Sequence, residues 1–164
     1  MDAVAAVSSI AGILSLVGQA LNGIVTLRGF YQDCSAASQS IQRFLKRLNE
    51  LIQILEDVKE LMSKLEQSSS KAVSDNVLAS LRIQIEDCSN DVYKWLDTAR
   101  ISMDGSSTGT KATFKRFLFA LEKRKIVDIY GEIAIHKDNI VTKLSFIGRY
   151  YTSRTYTMVG DVLI

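Results

Sequence analysis

A chain of 164 residues with 20 basic and 18 acidic side chains carries a net charge of only +2. That excludes a surface built as a whole for nucleic acid, so any electrostatic partner has to be read by a local patch. One hydrophobic core suffices at this length and a second domain has no room; the absence of proline, with only nine glycines, permits long helices and makes an all-α fold the expectation.

The first element opens the chain. From Ala3 to Leu27 there are 25 residues without an ionisable side chain, 16 of them apolar. A helix of that length, about 37 Å, would cross a bilayer core of roughly 30 Å. Ser8, Gly12, Ser15, Gln19, Asn22 and Thr26 recur at alternating steps of four and three, which places them on one polar stripe. Val4, Val7, Leu14, Val17, Leu21 and Val25 lie on other faces and are the candidate membrane-insertion positions. The helix is thus expected to be amphipathic, with an uncharged polar face in place of the usual lysine and glutamate. Arg28, Phe30 and Tyr31 follow in the order of an interfacial anchor.

A second helix is expected from about Ser38 to Leu65. Ile41, Phe44 or Leu45, Leu48, Leu51 or Ile52, Leu55, Val58, Met62 and Leu65 keep the a/d spacing of a bundle. Glu60 and Lys64 are placed to pair on its outer face. A polar linker at 67–70 leads to a third helix, about Val73 to Ile101. Its core stripe is Val73, Val77, Leu81, Ile85, Cys88, Val92, Trp95 and Ala99, and turn residues between Asp104 and Gly109 end it. A fourth helix is read from about Ala112 to Gly148, kinked near Gly131, with Phe114, Phe117, Leu121, Ile129, Ile133, Ile140, Leu144 and Ile147 inward. Joined by short linkers, these segments make an antiparallel bundle of four to five long helices over residues 1–149. Residues 150–164 change character: Tyr151, Thr152, Thr155, Tyr156, Thr157, Val159 and Val162 favour strand, so this stretch is expected to be an irregular tail.

Chemistry is sparse. His136 is the sole histidine, so it has no second imidazole with which to hold a metal, and a nucleophile would have to recruit it from mid-helix. Glu56, Asp57, Glu86 and Asp87 sit among basic residues on helices, where solvated faces explain them. The run from Gly105 to Ala112 imitates a phosphate loop. It has three residues between its glycines where four are needed, and alanine where a magnesium-binding hydroxyl belongs. No catalytic residue, cofactor, metal, small-molecule substrate or nucleic acid is expected. Cys34 and Cys88 form no C-x-x-C pair, which suits a reduced, cytoplasmic compartment. The opening residues lack the basic n-region of a signal peptide and the glycine of a myristoylation site, so a retained N-terminus is expected.

One charged feature stands out. Lys111, Lys115, Arg116, Lys123, Arg124 and Lys125 face only Glu122 in the same stretch and alternate with Phe114, Phe117 and Phe119. Such a patch suits anionic lipid, at roughly 1 kcal/mol per basic residue near the surface. Arg43, Lys46 and Arg47 would add to it if the fold brought them together.

The opening run from Met1-Asp2-Ala3-Val4-Ala5-Ala6-Val7-Ser8-Ser9-Ile10 to Leu14 resembles the start of the fungal N-terminal domains found on NACHT and ankyrin-repeat proteins, including the HeLo-like group. The run Lys115-Arg116-Phe117-Leu118-Phe119-Ala120-Leu121-Glu122-Lys123, with Ile135-His136-Lys137-Asp138-Asn139-Ile140 to Leu144, is similar to that family's final helix. The resemblance implies a helical effector module of fungal nonself recognition or programmed cell death (heterokaryon incompatibility). In it the N-terminal helix disrupts the plasma membrane after homo-oligomerisation or on a signal from an NLR-like (STAND) partner. The inserting element would be Ala3 to Leu27. The departure is after Tyr150, where the family continues into a nucleotide-binding or repeat region. A soluble adaptor that binds a partner protein without membrane activity is the other reading of the same residues.

Overall fold

The computed structural model describes residues 2–32, 39–68, 73–104 and 125–148, with side-chain surroundings given for residues 9–32 and 73–100 of the first and third stretches. These form an all-α bundle. Helix α1 spans Asp2–Gln32, α2 Gln39–Gln67 and α3 Asp75–Asp104; α4 covers residues 125–148. The stretch 150–164, expected to be a tail, lies outside the described residues.

The α2 stripe is the expected one, with Phe44 chosen over Leu45 and Leu51 over Ile52. Its strict three-and-four spacing leaves one face to bury, and that face is covered along its whole length. In α3, Leu78, Leu81, Ile85, Cys88, Val92, Trp95 and Ala99 are buried, while Val73 and Val77 are only partly covered. The helix begins at Asp75 because Ser74 caps it: the Val77 amide donates to the Ser74 backbone oxygen at 3.0 Å and meets its hydroxyl at 3.4 Å.

Helix α1 runs on through Gln32, further than its uncharged stretch. Tyr31 is buried edge-on against Phe44, ring centres 5.1 Å apart, Phe30 is partly buried against the core, and Arg28 donates to Asn49 at 3.0 Å. In this fold these three residues therefore pack against the bundle. Helix α4 continues through Gly131 without interruption. No neighbouring side chain pushes on that glycine, and a lone glycine weakens a helix without bending it.

The contacts fix the helix directions. Arg28 on Asn49 and Tyr31 on Phe44 set α1 and α2 antiparallel. Gly12 beside Arg82, the Gln19 carbonyl under the Tyr93 hydroxyl and Gly23 against Val92 set α1 and α3 side by side in the same direction. Helix α4 runs against α3, with Asp91 on His136 and Trp95 on Glu132. It runs along α2, with Arg47 on Tyr130 and Glu50 on Lys137. Thus α2 and α3 each touch both α1 and α4.

Candidate functional site

The surface of α1 differs from the expected pattern. Its core stripe is Ile10, Ile13, Val17, Ala20, Ile24, Leu27 and Tyr31, again at alternating three and four. Of the candidate insertion residues only Val17 belongs to it. Leu14 and Leu21 are half-buried on its flanks, and Val25 is 46% exposed. The side-chain surroundings of Val4, Val7 and Ser8 lie outside the described residues. Ser15, Gln19 and Asn22 are exposed, as a polar stripe requires. Thr26 is half-buried and returns its hydroxyl to the Asn22 carbonyl at 2.8 Å, and Gly12 lies beneath the Arg82 guanidinium. The outward face of α1 is therefore small and uncharged, with Ala11, Gly18 and Gly29 exposed between the polar residues. Residues Ser9–Gln32 form a helix long and apolar enough, by length and composition, to cross a membrane, with 39% of its most apolar stretch buried in the bundle.

Gly23 explains why α1 can approach α3 closely. A β-carbon at that position would stand 2.6 Å from Val92 Cγ1, and Val92 is a stiff, fully buried side chain with no room to turn.

Where α4 meets α2 and α3, polar contacts accompany its buried isoleucines. Glu50 accepts from Lys137 and, at 3.0 Å, from Arg47. Arg47 also donates to the Tyr130 hydroxyl at 2.8 Å, with its guanidinium 5.1 Å from that ring's centre. Lys137, helped by Arg47 and opposed by desolvation, holds the Glu50 carboxyl below its ordinary range. On the α3 side Trp95 Nε1 donates to Glu132 at 2.6 Å, and His136 Nε2 lies 2.9 Å from Asp91 Oδ2. His136 is only 7% exposed and occupies a core position between Ile133 and Ile140. Burial pushes the Asp91 carboxyl up, but hydrogen bonds from Lys94 and His136 outweigh it and hold the group below its ordinary value. Burial, with the Asp91 charge close by, pushes the Cys88 thiol up to about 12, which leaves it an unreactive apolar filler.

The remaining predicted site residues divide in two. Lys111, Lys115, Arg116, Lys123 and Arg124 lie outside the described residues, as do Phe114, Phe117, Leu121, Cys34 and the glycine-rich run from Gly105 to Ala112. Lys125 is described and exposed, as are Arg43 and Lys46, whereas Arg47 is drawn into the contact with α4. Glu56, Asp57, Glu86 and Asp87 all face solvent. Among the described residues no three His, Cys, Asp or Glu side chains gather to hold a metal ion. Sequence reasoning missed the Asp91–His136 and Glu50–Lys137 contacts. The period of α4 would have placed His136 inside, since it falls three residues after Ile133 and four before Ile140; its partner was not legible. Comparison with protein families, characterised proteins and solved structures finds no match to this chain.

Proposed function

We propose that this chain is a non-catalytic effector module that acts by oligomerising and by delivering α1 to a membrane. The observation that carries the reading is the composition of α1: a single helix long enough to span a bilayer, uncharged from Ala3 to Leu27. None of the ion pairs among the described residues involves it. The resemblance to the fungal N-terminal domains supports the same reading, with anionic plasma-membrane lipid and an NLR-like protein or further copies of the chain as partners.

The resting fold sets a threshold for this activity. Six large side chains of α1 are buried, and at about 1.5–3 kcal/mol each their exposure costs on the order of 10 kcal/mol. Spontaneous release is therefore negligible, and a bilayer or an activating partner has to offset the cost. The same burial favours the second reading, a cytoplasmic adaptor whose α1 never leaves the bundle.

Dye release from neutral and anionic liposomes separates the two. Ile24→Ala loosens α1 and is expected to raise leakage from anionic vesicles above that of the unaltered chain. Asn22→Asp with Val25→Lys changes only exposed positions. It keeps the helical circular dichroism but abolishes leakage, since each charge costs about 3 kcal/mol at a bilayer centre. Reversing Lys123, Arg124 and Lys125 to glutamate removes the preference for anionic lipid. Absence of leakage from both the unaltered chain and Ile24→Ala, or leakage that survives the charges on α1, sinks the membrane reading and leaves the adaptor.

A further inference from the structure

Helix α4 turns isoleucines and His136 inward, yet its outer side is not a polar face. Seven large apolar side chains are exposed among the described residues, and four of them, Val127, Ile135, Val141 and Phe146, stand on this one helix. Scattered singly such residues need no explanation, whereas a cluster marks a contact surface. The cluster has an order. Val127, Gly131, Ala134, Asp138, Val141 and Ser145 are all exposed and follow one another at steps of four and three, the spacing by which one helix seats another. They run about 27 Å along the axis, with Asp128, Ile135, Thr142 and Phe146 along one edge. Gly131 and Ala134 leave room for the close approach of a second backbone, and between Val141 and Phe146 the surface dips into a shallow depression that can take a protruding side chain.

Charge selects the occupant. The charges on this face are carboxylates, Asp138 in its middle and Asp128 at its edge, both exposed. The lysines described on α4 keep off it: Lys137 reaches across to Glu50, and Lys125 and Lys143 fall elsewhere in the helical period. A second copy on the same face would meet like with like. In a parallel pair Asp138 would oppose Asp138. In an antiparallel pair the midpoint between Val127 and Phe146 falls within a turn of Asp138, so the two carboxylates again come close. We propose that this face docks an amphipathic helix of another protein, whose apolar stripe is interrupted by one lysine or arginine set against Asp138. A charged position inside an otherwise apolar stripe fixes register and rejects partners that lack the opposite charge. Because α4 lies across the bundle from α1, with α2 and α3 between them, such a partner leaves the outward face of α1 clear. The inference does not depend on the membrane reading.

The probe is a synthetic helix of about four heptads, with leucine and isoleucine at a and d, lysine at one central a position and uncharged polar residues elsewhere. A fluorescent label reports its binding to the whole 164-residue chain by anisotropy, without lipid. Saturable binding is expected, roughly tenfold tighter or more than that of the same peptide with glutamate for lysine. Asp138→Lys inverts that preference, and Ala134→Arg blocks the face and abolishes binding of both peptides. Both positions are exposed, so circular dichroism should show the helices unchanged. Ile83→Lys, which removes an exposed apolar side chain from α3 instead, leaves binding as it was. Equal binding of the lysine and glutamate peptides, a preference that survives Asp138→Lys, or no saturable binding would overturn the proposal. So would sedimentation of the unaltered chain as a dimer that Ala134→Arg returns to monomer.

Discussion

Helix α1 meets α2 and α3 through Ile13, Val17, Ala20, Ile24 and Leu27, all fully buried, with polar contacts at its edges such as Arg28 to Asn49 and Tyr93 to the Gln19 carbonyl. Helix α4 meets the same two helices through isoleucines and through Tyr130, Glu132, His136 and Lys137, each with a partner across the interface. The contrast separates two ways of holding a helix. Apolar burial is strong but indifferent to direction, so the seat of α1 is set by shape, above all by Gly23 against Val92. Paired polar groups add less net energy but tolerate few alternatives, because sliding α4 by one turn would leave Glu132, His136 and Lys137 without partners.

The contrast breaks first at Ile24. Ile24→Ala should destabilise the protein by about 2–5 kcal/mol, since the side chain is fully buried; urea unfolding reads this directly, and a loss under about 1 kcal/mol would deny α1 its apolar anchorage. His136→Ala comes next, at about 2 kcal/mol, through a lost core contact and a half-deserted Asp91. Gly23→Ala tests shape. Overpacking against Val92 costs about 1–3 kcal/mol and helix propensity returns up to about 1, so a net destabilisation is expected. Gly18→Ala, with open space around it, should instead stabilise by up to about 1 kcal/mol. Thermal melts of the two variants should therefore shift in opposite directions.

Acid sharpens the comparison. Asp91 and Glu50 are both held below their ordinary values, so the stability they confer is fully present above the usual carboxylate range and is lost as pH falls through their folded-state values. The urea midpoint should fall as the pH drops below about 4, and Glu50→Gln should flatten that fall. The midpoint difference between Ile24→Ala and the unaltered chain should change little over the same range, because α1 relies on no carboxylate among the described residues.

Legibility in the sequence followed the regularity of each helix. In α2, charged residues fill the outer positions, so the three-and-four spacing of Ile41 through Leu65 could be read in only one phase. In α1 the same period was present in several phases at once. Sixteen apolar residues without a charge leave Leu14, Leu21 and Val25 as good candidates for the core as Ile13, Val17 and Ile24, and only packing on α2 and α3 chose between them. The outward position of Ser15, Gln19 and Asn22 was legible, because polar side chains at a helical period mark a solvent side even when uncharged.

By itself the sequence determined that this protein is a bundle of long helices: no proline interrupts them, and apolar residues recur at helical period. It also determined that α1 differs from the rest, through a composition no neighbour can alter. Only the tertiary structure decided that α1 and α3 run side by side in one direction, that His136 is a core residue bound to Asp91, that Tyr31 closes the core, and that α4 keeps an apolar face outward. Each of these depends on which helix lies against which. Periodicity gives a helix its faces but assigns none of them a partner, and the partners are chosen by close approaches such as Gly23 on Val92 and by charge pairs between residues far apart in the chain.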